Sequence, residues 1–166
     1  MLRVHVRART SYYQGYLDDH ELAAQNRRHV ADYERMILSP ARTVRCAELG
    51  DELVGFVVVG TPYFPDPDPS VDSELYQLHV DPERHRVGVG SNLHSSALDV
   101  WRDGTSVARL WVWEFNERAR AFYERHGWEA DGGCRPDDPR VGRYRMLGYL
   151  LNVGTPGREP TRTGSE

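Results

Sequence analysis

The sequence predicts a single α/β domain of the α+β class, and two segments carry that prediction. Residues 74–93 have the pattern of a buried strand, a glycine-rich turn and the start of a helix. Residues 110–128 have the pattern of a second strand, a polar break at Asn116, another helix and a glycine stop. At 166 residues the chain is long enough for one substantial hydrophobic core. We expect the domain to span residues 1–152 and the polar tail, residues 153–166, to be disordered.

The composition narrows the class of protein. Hydrophobic residues make up 39% of the chain and charged residues 28%, as in ordinary globular proteins, and the net charge of −4 argues against nucleic acid as a main partner. No apolar run is long enough to cross a membrane, and the first residues lack a hydrophobic signal segment. The two cysteines, Cys46 and Cys134, fit neither a disulfide framework nor a metal-site spacing. We therefore expect a cytoplasmic protein with no membrane partner and no metal.

The N-terminal region has a helical pattern. Val4, Ala8, Tyr12 and Tyr16 recur at helical spacing, and the pattern continues over residues 22–38 with a charged face. Pro40 then ends the helical region.

A β-hairpin, a loop and a third strand follow. Two β-rich runs, residues 43–49 and 52–60, flank the turn pair Gly50-Asp51, which is a hairpin signal. Residues 61–73 are dense in proline and aspartate, so this segment is a loop. The strand that follows covers residues 74–80.

The second half alternates helices and strands. Residues 90–102 place apolar side chains on one face of a helix, and residues 107–115 form a strand with few polar interruptions, as expected for a central position. Asn116 can cap the next helix, which Gly127 ends. The last two predicted strands are residues 128–132 and 143–150.

The junction between the third strand and its helix is a candidate anion site. Gly88, Val89 and Gly90 lie where the helix begins, so free N–H groups and the positive end of the helix dipole converge there. The side chains of Arg84 and Arg86 can add direct contacts to phosphate oxygens. This arrangement suits a pyrophosphate.

From about Thr43 to Met146 the chain resembles the GNAT superfamily of acyl-CoA-dependent N-acyltransferases. The family's phosphate motif is Arg or Gln, two residues, Gly, one residue, and Gly or Ala, and residues 85–90 (HRVGVG) are similar to it. Residues 116–128 resemble the family's Asn-x-x-Ala-x-x-Phe-Tyr-x-x-x-Gly-aromatic signature. Either motif alone is weak evidence for the family. Both occur here in order, separated by one helix and one strand, which makes the combined signal specific.

The resemblance implies a mixed, mostly antiparallel sheet flanked by helices and splayed where acetyl-CoA, the cosubstrate, enters. It also implies that a backbone N–H group of the central strand polarises the thioester carbonyl. By their positions in the motifs, the implied cofactor-binding residues are Leu78, His79, Val80, His85, Arg86, Val87, Gly88, Val89, Gly90, Ser91, Asn116, Ala119 and Tyr123.

Two features depart from the family pattern. His85 stands where Arg or Gln is usual, and Arg86 and Val87 replace the common Gly and Arg or Lys. Backbone N–H groups do most of the phosphate binding, so the site tolerates these changes, although Arg86 adopts a positive φ less easily than Gly.

Family members also begin with a strand before the first helix. Its absence here leaves two alternatives, a missing edge strand or a start upstream of Met1.

Amide formation requires a base and an acid. The acceptor amine must lose a proton, and Glu74, at the start of the central strand, is the candidate that takes it, directly or through water. The leaving thiolate needs a proton, and Tyr123 resembles the family's general acid. No covalent enzyme intermediate is needed, because acetyl-CoA and the amine can bind together.

On this interpretation we expect the acceptor to be a primary amine of a small molecule. The candidate substrate-binding residues are Glu74, Tyr76, Tyr63 and Tyr16. The alternatives are a protein or peptide N-terminal acetyltransferase, which needs an open groove, and a non-catalytic acyl-CoA-binding module. The oligomeric state stays open, although homodimers are common in the family.

Overall fold

A computed structural model describes residues 1–66, 68–135 and 144–154, except for the side chains of residues 29–32 and 34. The helices are α1 (Leu2–Tyr13), α2 (Asp19–Ile37), α3 (Val89–Trp101) and α4 (Glu117–Arg125). The strands are β1 (Arg42–Leu49), β2 (Glu52–Gly60), β3 (Ser73–Val80), β4 (Val107–Trp113), β5 (Glu129–Arg135) and β6 (Met146–Asn152). A 3₁₀ turn, Pro82–Arg84, separates β3 from the loop that leads to α3.

The strands form one sheet in the order β1-β2-β3-β4-β6-β5. Strands β3 and β4 are parallel to each other, and the other neighbouring pairs are antiparallel. The predicted fold class, an α/β domain with a mixed, mostly antiparallel sheet, is therefore confirmed. Within the described ranges no strand precedes α1, and β1 is an edge of the sheet.

The two parallel strands separate part-way along their length. Residues Ser73–Leu75 pair with Ala108–Leu110, and no pairing follows, although β3 continues to Val80 and β4 to Trp113. On the other side of β3, Tyr76 and Gln77 together lie opposite Val58, because the register shifts there by one residue. Such a bulge bends its strand and strengthens the local twist. The sheet is thus splayed in its centre.

Helices cover both faces of the sheet. Helix α3 buries Leu93, Ala97 and Trp101 in the main core, and α4 packs Tyr123 against the same cluster. On the opposite face, Val4 of α1 joins a second cluster that includes Phe56 and Val58 of β2. Alternation of these β2 side chains with Val57 and Val59 places one apolar row on each face.

Several predicted boundaries are wrong in detail, and the strand predicted at residues 107–115 ends at Trp113. The N-terminal helix ends at Tyr13, because the chain turns at Gly15 with φ +83°, so Tyr16 is not helical. The strand predicted at residues 128–132 is Glu129–Arg135. The strand predicted at 143–150 is Met146–Asn152, and residue 143 lies outside the described residues. Of the predicted tail, only Val153 and Gly154 are described.

Among the helices that the structure describes, none combines the length and the apolar character that a membrane span requires.

Candidate active site

A cavity of about 1100 Å³ occupies the gap between β3 and β4. Its strand walls are residues 75–80 of β3 and 111–113 of β4. Side chains of α1 and α2 line it on one side of the sheet, and the loop before α3, the first turn of α3, and α4 line it on the other. The splay therefore joins the two faces of the domain in a single site.

The first turn of α3 forms the anion-binding end of the cavity. Gly88 is the residue before the helix, and it adopts a left-handed conformation with φ +89° that favours glycine. The helix leaves the N–H groups of Val89, Gly90 and Ser91 without intrahelical partners. A Cβ atom on Gly90 would lie 3.4 Å from the Phe122 ring, an ordinary van der Waals distance, so α3 and α4 are close neighbours here. These features fit a bound pyrophosphate.

Arg86 carries backbone strain in this loop. Its φ is +63°, and it is the one residue other than glycine in the described chain with a positive φ. A side chain in this conformation brings Cβ close to the following carbonyl oxygen. The position where the family pattern has glycine is therefore the position where glycine would relieve strain.

His85 connects the loop to α4. Its Nδ1 atom lies 3.1 Å from Nη1 of Arg118, and since a guanidinium only donates, Nδ1 is the acceptor. Burial lowers the pKa of His85, and the nearby charge of Arg118 lowers it further, so His85 is neutral at physiological pH. The contact holds Arg118 beside the anion site, where its remaining N–H groups are available to a phosphate.

Tyr123 lies on α4 and lines the cavity. It is 8% exposed, and burial raises the pKa of its phenol above the ordinary value of 10. Within the described part of the chain its hydroxyl has no hydrogen-bond partner. The phenol can therefore hold its proton at neutral pH and present it to a group in the cavity.

Most of the predicted cofactor-binding residues line the cavity. Asn116 does so, and its side-chain Oδ1 also accepts from the N–H of Ala119 at 3.2 Å, which confirms the predicted helix cap. Val87 and Val89 do not line it: Val87 is exposed, and Val89 packs against the main core. The lining members are Leu78, His79, Val80, His85, Arg86, Gly88, Gly90, Ser91, Asn116, Ala119 and Tyr123.

Glu74 is not among the lining residues. It is 4% exposed, its Oε2 accepts from the N–H of Tyr63 at 3.0 Å, and its Oε1 lies 3.6 Å from Nη2 of Arg135. The carboxylate thus ties the loop of residues 61–72 to β3. Nearby, Arg109 of β4 fixes the same loop through an ion pair with Asp66, with Nε and Oδ2 2.5 Å apart.

The three predicted substrate-binding tyrosines occupy different environments. Tyr76 lines the cavity, although its hydroxyl donates to the Thr61 carbonyl and Arg42 covers its ring. Tyr63 is exposed and outside the cavity wall. Tyr16 is also outside the wall and stacks on Phe115, with 4.3 Å between the ring centroids. Of the three, the structure brings only Tyr76 to the cavity.

The sequence interpretation considered the tyrosines of the first helix for a pocket wall but missed its polar members, His5 and Arg9. His5, Arg9 and Tyr12 line the cavity, and they recur every three or four residues along α1. The same spacing made Val4, Ala8 and Tyr12 look like a packing face. The missed signal is the polar character of His5 and Arg9 beside that apolar row.

His79 of β3 faces the α1 side of the cavity. Its ring lies parallel to that of Tyr12, with centroids 6.4 Å apart. Burial lowers the pKa of His79 to about 3, and the charge of Arg9 contributes to the decrease. His79 is therefore neutral at physiological pH and adds no positive charge to this end of the cavity.

The splayed strands and the anion site together form a cavity whose shape and donors suit an acyl-CoA. The model of the acetyltransferase (GNAT) family matches residues 8–128. An uncharacterized N-acetyltransferase of Archaeoglobus fulgidus is 34% identical over 114 residues, which cover 68% of this chain and 78% of the relative. The chain belongs to the acetyltransferase (GNAT) family. It is an acetyltransferase that uses acetyl-CoA.

Solved structures share the fold. The PaiA N-acetyltransferase of Thermoplasma acidophilum, in complex with coenzyme A, superposes with a TM-score of 0.68 at 18% identity, over 89% of this chain and 88% of that one. The ribosomal-protein-S18-alanine N-acetyltransferase of Escherichia coli superposes with a TM-score of 0.61 at 17% identity, over 96% and 90% of the two chains. At these identities the likeness concerns the fold alone.

Proposed function

We propose that this enzyme transfers the acetyl group of acetyl-CoA to a primary amine of a small molecule, with both reactants bound at once. The observation that supports the proposal is the cavity between β3 and β4. It brings the anion site at α3, the phenol of Tyr123 and a separate wall from α1 and α2 into one space. A volume of about 1100 Å³ suits a coenzyme arm together with a compact acceptor.

The residues that would hold acetyl-CoA follow from the geometry. N–H groups at the start of α3 and the side chains of Arg86 and Arg118 offer donors to the pyrophosphate. Beyond Leu75, β3 has no strand partner on its β4 side among the described residues, so its backbone groups there can bind an extended arm. Acetyl-CoA supplies the acetyl group as a reactive thioester.

Tyr123 is the proposed general acid. The raised pKa keeps the phenol protonated across the neutral and mildly basic range, so its Oη can give a proton to the departing sulfur. Because the hydroxyl lacks a partner among the described residues, no existing hydrogen bond must be broken first. This role rests on the position of Tyr123 in the cavity wall.

Glu74 is the proposed proton acceptor for the amine. Its carboxylate lies one residue before Leu75, the first β3 residue of the cavity wall, and it is engaged by Tyr63 and Arg135. Transfer to it therefore requires a water molecule between the amine and the carboxylate. A cytoplasmic location and a homodimeric state complete the proposal.

The test is thiol release from acetyl-CoA with the purified protein and a panel of small primary amines. We expect amine-dependent thiol release and an N-acetylated product of the corresponding mass. Product found only on the N-termini of peptides, with no small amine acetylated, would contradict the proposed acceptor class. Absence of both products would contradict the transfer reaction itself.

A further inference from the structure

Arg9 is a buried cation on the acceptor side of the cavity. It lies on α1, is 8% exposed and lines the cavity together with Tyr12 and Tyr13. Its Nε donates to Oδ1 of Asn26 at 2.9 Å, and its Nη2 donates to Oε1 of Gln25 at 3.0 Å. Both acceptors are neutral amide oxygens.

Arg9 has no carboxylate partner among the residues that the structure describes. The Glu21 carboxylate is linked to Arg9 only through Gln25, whose side-chain N–H donates to it at 3.3 Å. Glu21 also forms an ion pair with Arg28. The Tyr13 ring lies over the guanidinium at 4.8 Å, which offsets part of the charge. Arginines are seldom buried this far without an anionic partner, because an uncompensated buried charge is strongly unfavourable.

The Arg9 guanidinium also has N–H donors that its two amide partners do not use. It has five N–H groups, of which Asn26 and Gln25 use two. Tyr12 is near enough for the Arg9 charge to oppose the rise in its pKa that burial causes. Even if Tyr12 takes a third N–H, two remain, which matches the two oxygens of a carboxylate.

We infer that Arg9 binds a carboxylate of the acceptor, so that the acceptor carries its amine and a carboxylate on the same small molecule. This inference rests on the proposed function and specifies its substrate class. A single carboxylate fits better than a phosphate dianion, because the neighbouring His79 is neutral and Arg9 supplies one positive charge. The bound cation would also favour the neutral form of the amine, which is the reactive form.

Matched acceptor pairs provide the test in the wild-type protein. The pairs are phenylalanine with phenylalaninamide, tryptophan with tryptophanamide, and 4-aminobutanoate with 4-aminobutanamide. Each pair differs only in the carboxylate. We expect kcat/KM for thiol release to be about 10- to 100-fold higher for at least one carboxylate than for its amide.

Substitutions at Arg9 test whether this residue causes the preference for the carboxylate over the amide. Arg9→Gln should remove it, mainly through KM, while Arg9→Lys should retain part of it. Arg102→Gln, which removes an exposed charge paired with Asp99, should leave the preference unchanged. Thermal unfolding with acetyl-CoA shows whether each variant is folded and still binds the coenzyme.

The outcomes separate the two proposals. Equal or greater use of the amides, or a panel in which no carboxylate is acetylated, would overturn the inference about Arg9. If the amides are acetylated, the proposed acetyl transfer to a small amine stands without it. A carboxylate preference that survives in Arg9→Gln would also overturn the inference. Failure of acetyl-CoA to stabilise the wild-type protein would count against the proposed function.

Discussion

Leu75 and Leu110 are the last register partners of the parallel strands β3 and β4, and the cavity begins directly beyond them. Both side chains are buried in the main core, at 3% and 1% exposure, so the closed part of the strand pair is fixed by packing. The open part exposes backbone groups that a sheet would otherwise use. An anion site and a buried phenol lie on the walls of this opening.

Replacing Arg86 by glycine should stabilise the protein. Glycine adopts φ +63° without a Cβ clash, and after the entropy that glycine adds to the unfolded chain we expect a gain of about 1 kcal/mol. Arg86→Ala removes the same charge but keeps the strain, so it is the matched control. Chemical denaturation measures both. A glycine variant no more stable than the alanine variant would show that the strain at Arg86 does not exceed the entropy that glycine adds to the unfolded chain.

Tyr123→Phe should lower kcat by about 10²- to 10⁴-fold. The acetyl-CoA affinity and the melting temperature should hardly change, because the hydroxyl makes no hydrogen bond within the described residues. Since the pKa of Tyr123 is raised, the acid stays protonated as pH increases, and we expect no alkaline loss of rate from this group below pH ~10. Full activity of the variant would remove Tyr123 as the acid.

Glu74→Gln tests the proposed proton acceptor. If Glu74 accepts the proton through water, kcat/KM falls further in Glu74→Gln than in a variant that only loosens the loop. The same substitution also weakens the ion pair to Arg135, so Arg135→Gln serves as the control for loop anchoring. Equal effects of the two variants on kcat/KM would restrict Glu74 to holding the loop.

His94 should make stability depend on pH. It is buried, its Nε2 accepts from Nε1 of Trp128 at 2.9 Å, and burial lowers its pKa to about 4, assisted by the charge of His126. The unfolded chain binds the proton near its ordinary pKa of 6.5. The stabilisation is therefore complete above pH 6.5 and is lost as pH falls towards 4, by about 3 kcal/mol.

The control is His94→Gln, whose amide oxygen can still accept from Trp128 but does not titrate. Unfolding free energies measured between pH 7.5 and 4.5 should fall less steeply for this variant than for the wild type. Parallel curves would show that His94 does not carry the dependence.

The parts of this site that could be predicted are the parts that the local sequence determines. Fixed positions in the two sequence motifs identified four residues that line the cavity: Gly88, Gly90, Asn116 and Tyr123. The place of Glu74 could not be predicted, because the contacts of its carboxylate come from Tyr63 and Arg135, 11 residues before it and 61 after it.

The place of Arg9 in the cavity wall could not be predicted for the same reason. The local pattern of an amphipathic helix favours a solvent-exposed position for a charged residue such as Arg9. Its burial depends on the packing of α1 on α2 and β3, which sequence spacing does not specify.

The most direct test of acetyl-CoA binding in the β3–β4 gap is thermal unfolding with and without acetyl-CoA, in the wild type, Gly88→Glu and Gly104→Glu. Gly88→Glu places a carboxylate and a strained backbone at the anion site, whereas Gly104→Glu adds the same charge at an exposed turn. At ~100 times the dissociation constant the ligand should add ~2.7 kcal/mol to the wild type and to Gly104→Glu, and much less to Gly88→Glu. No stabilisation of the wild type, or equal stabilisation of all three proteins, would contradict binding at this site.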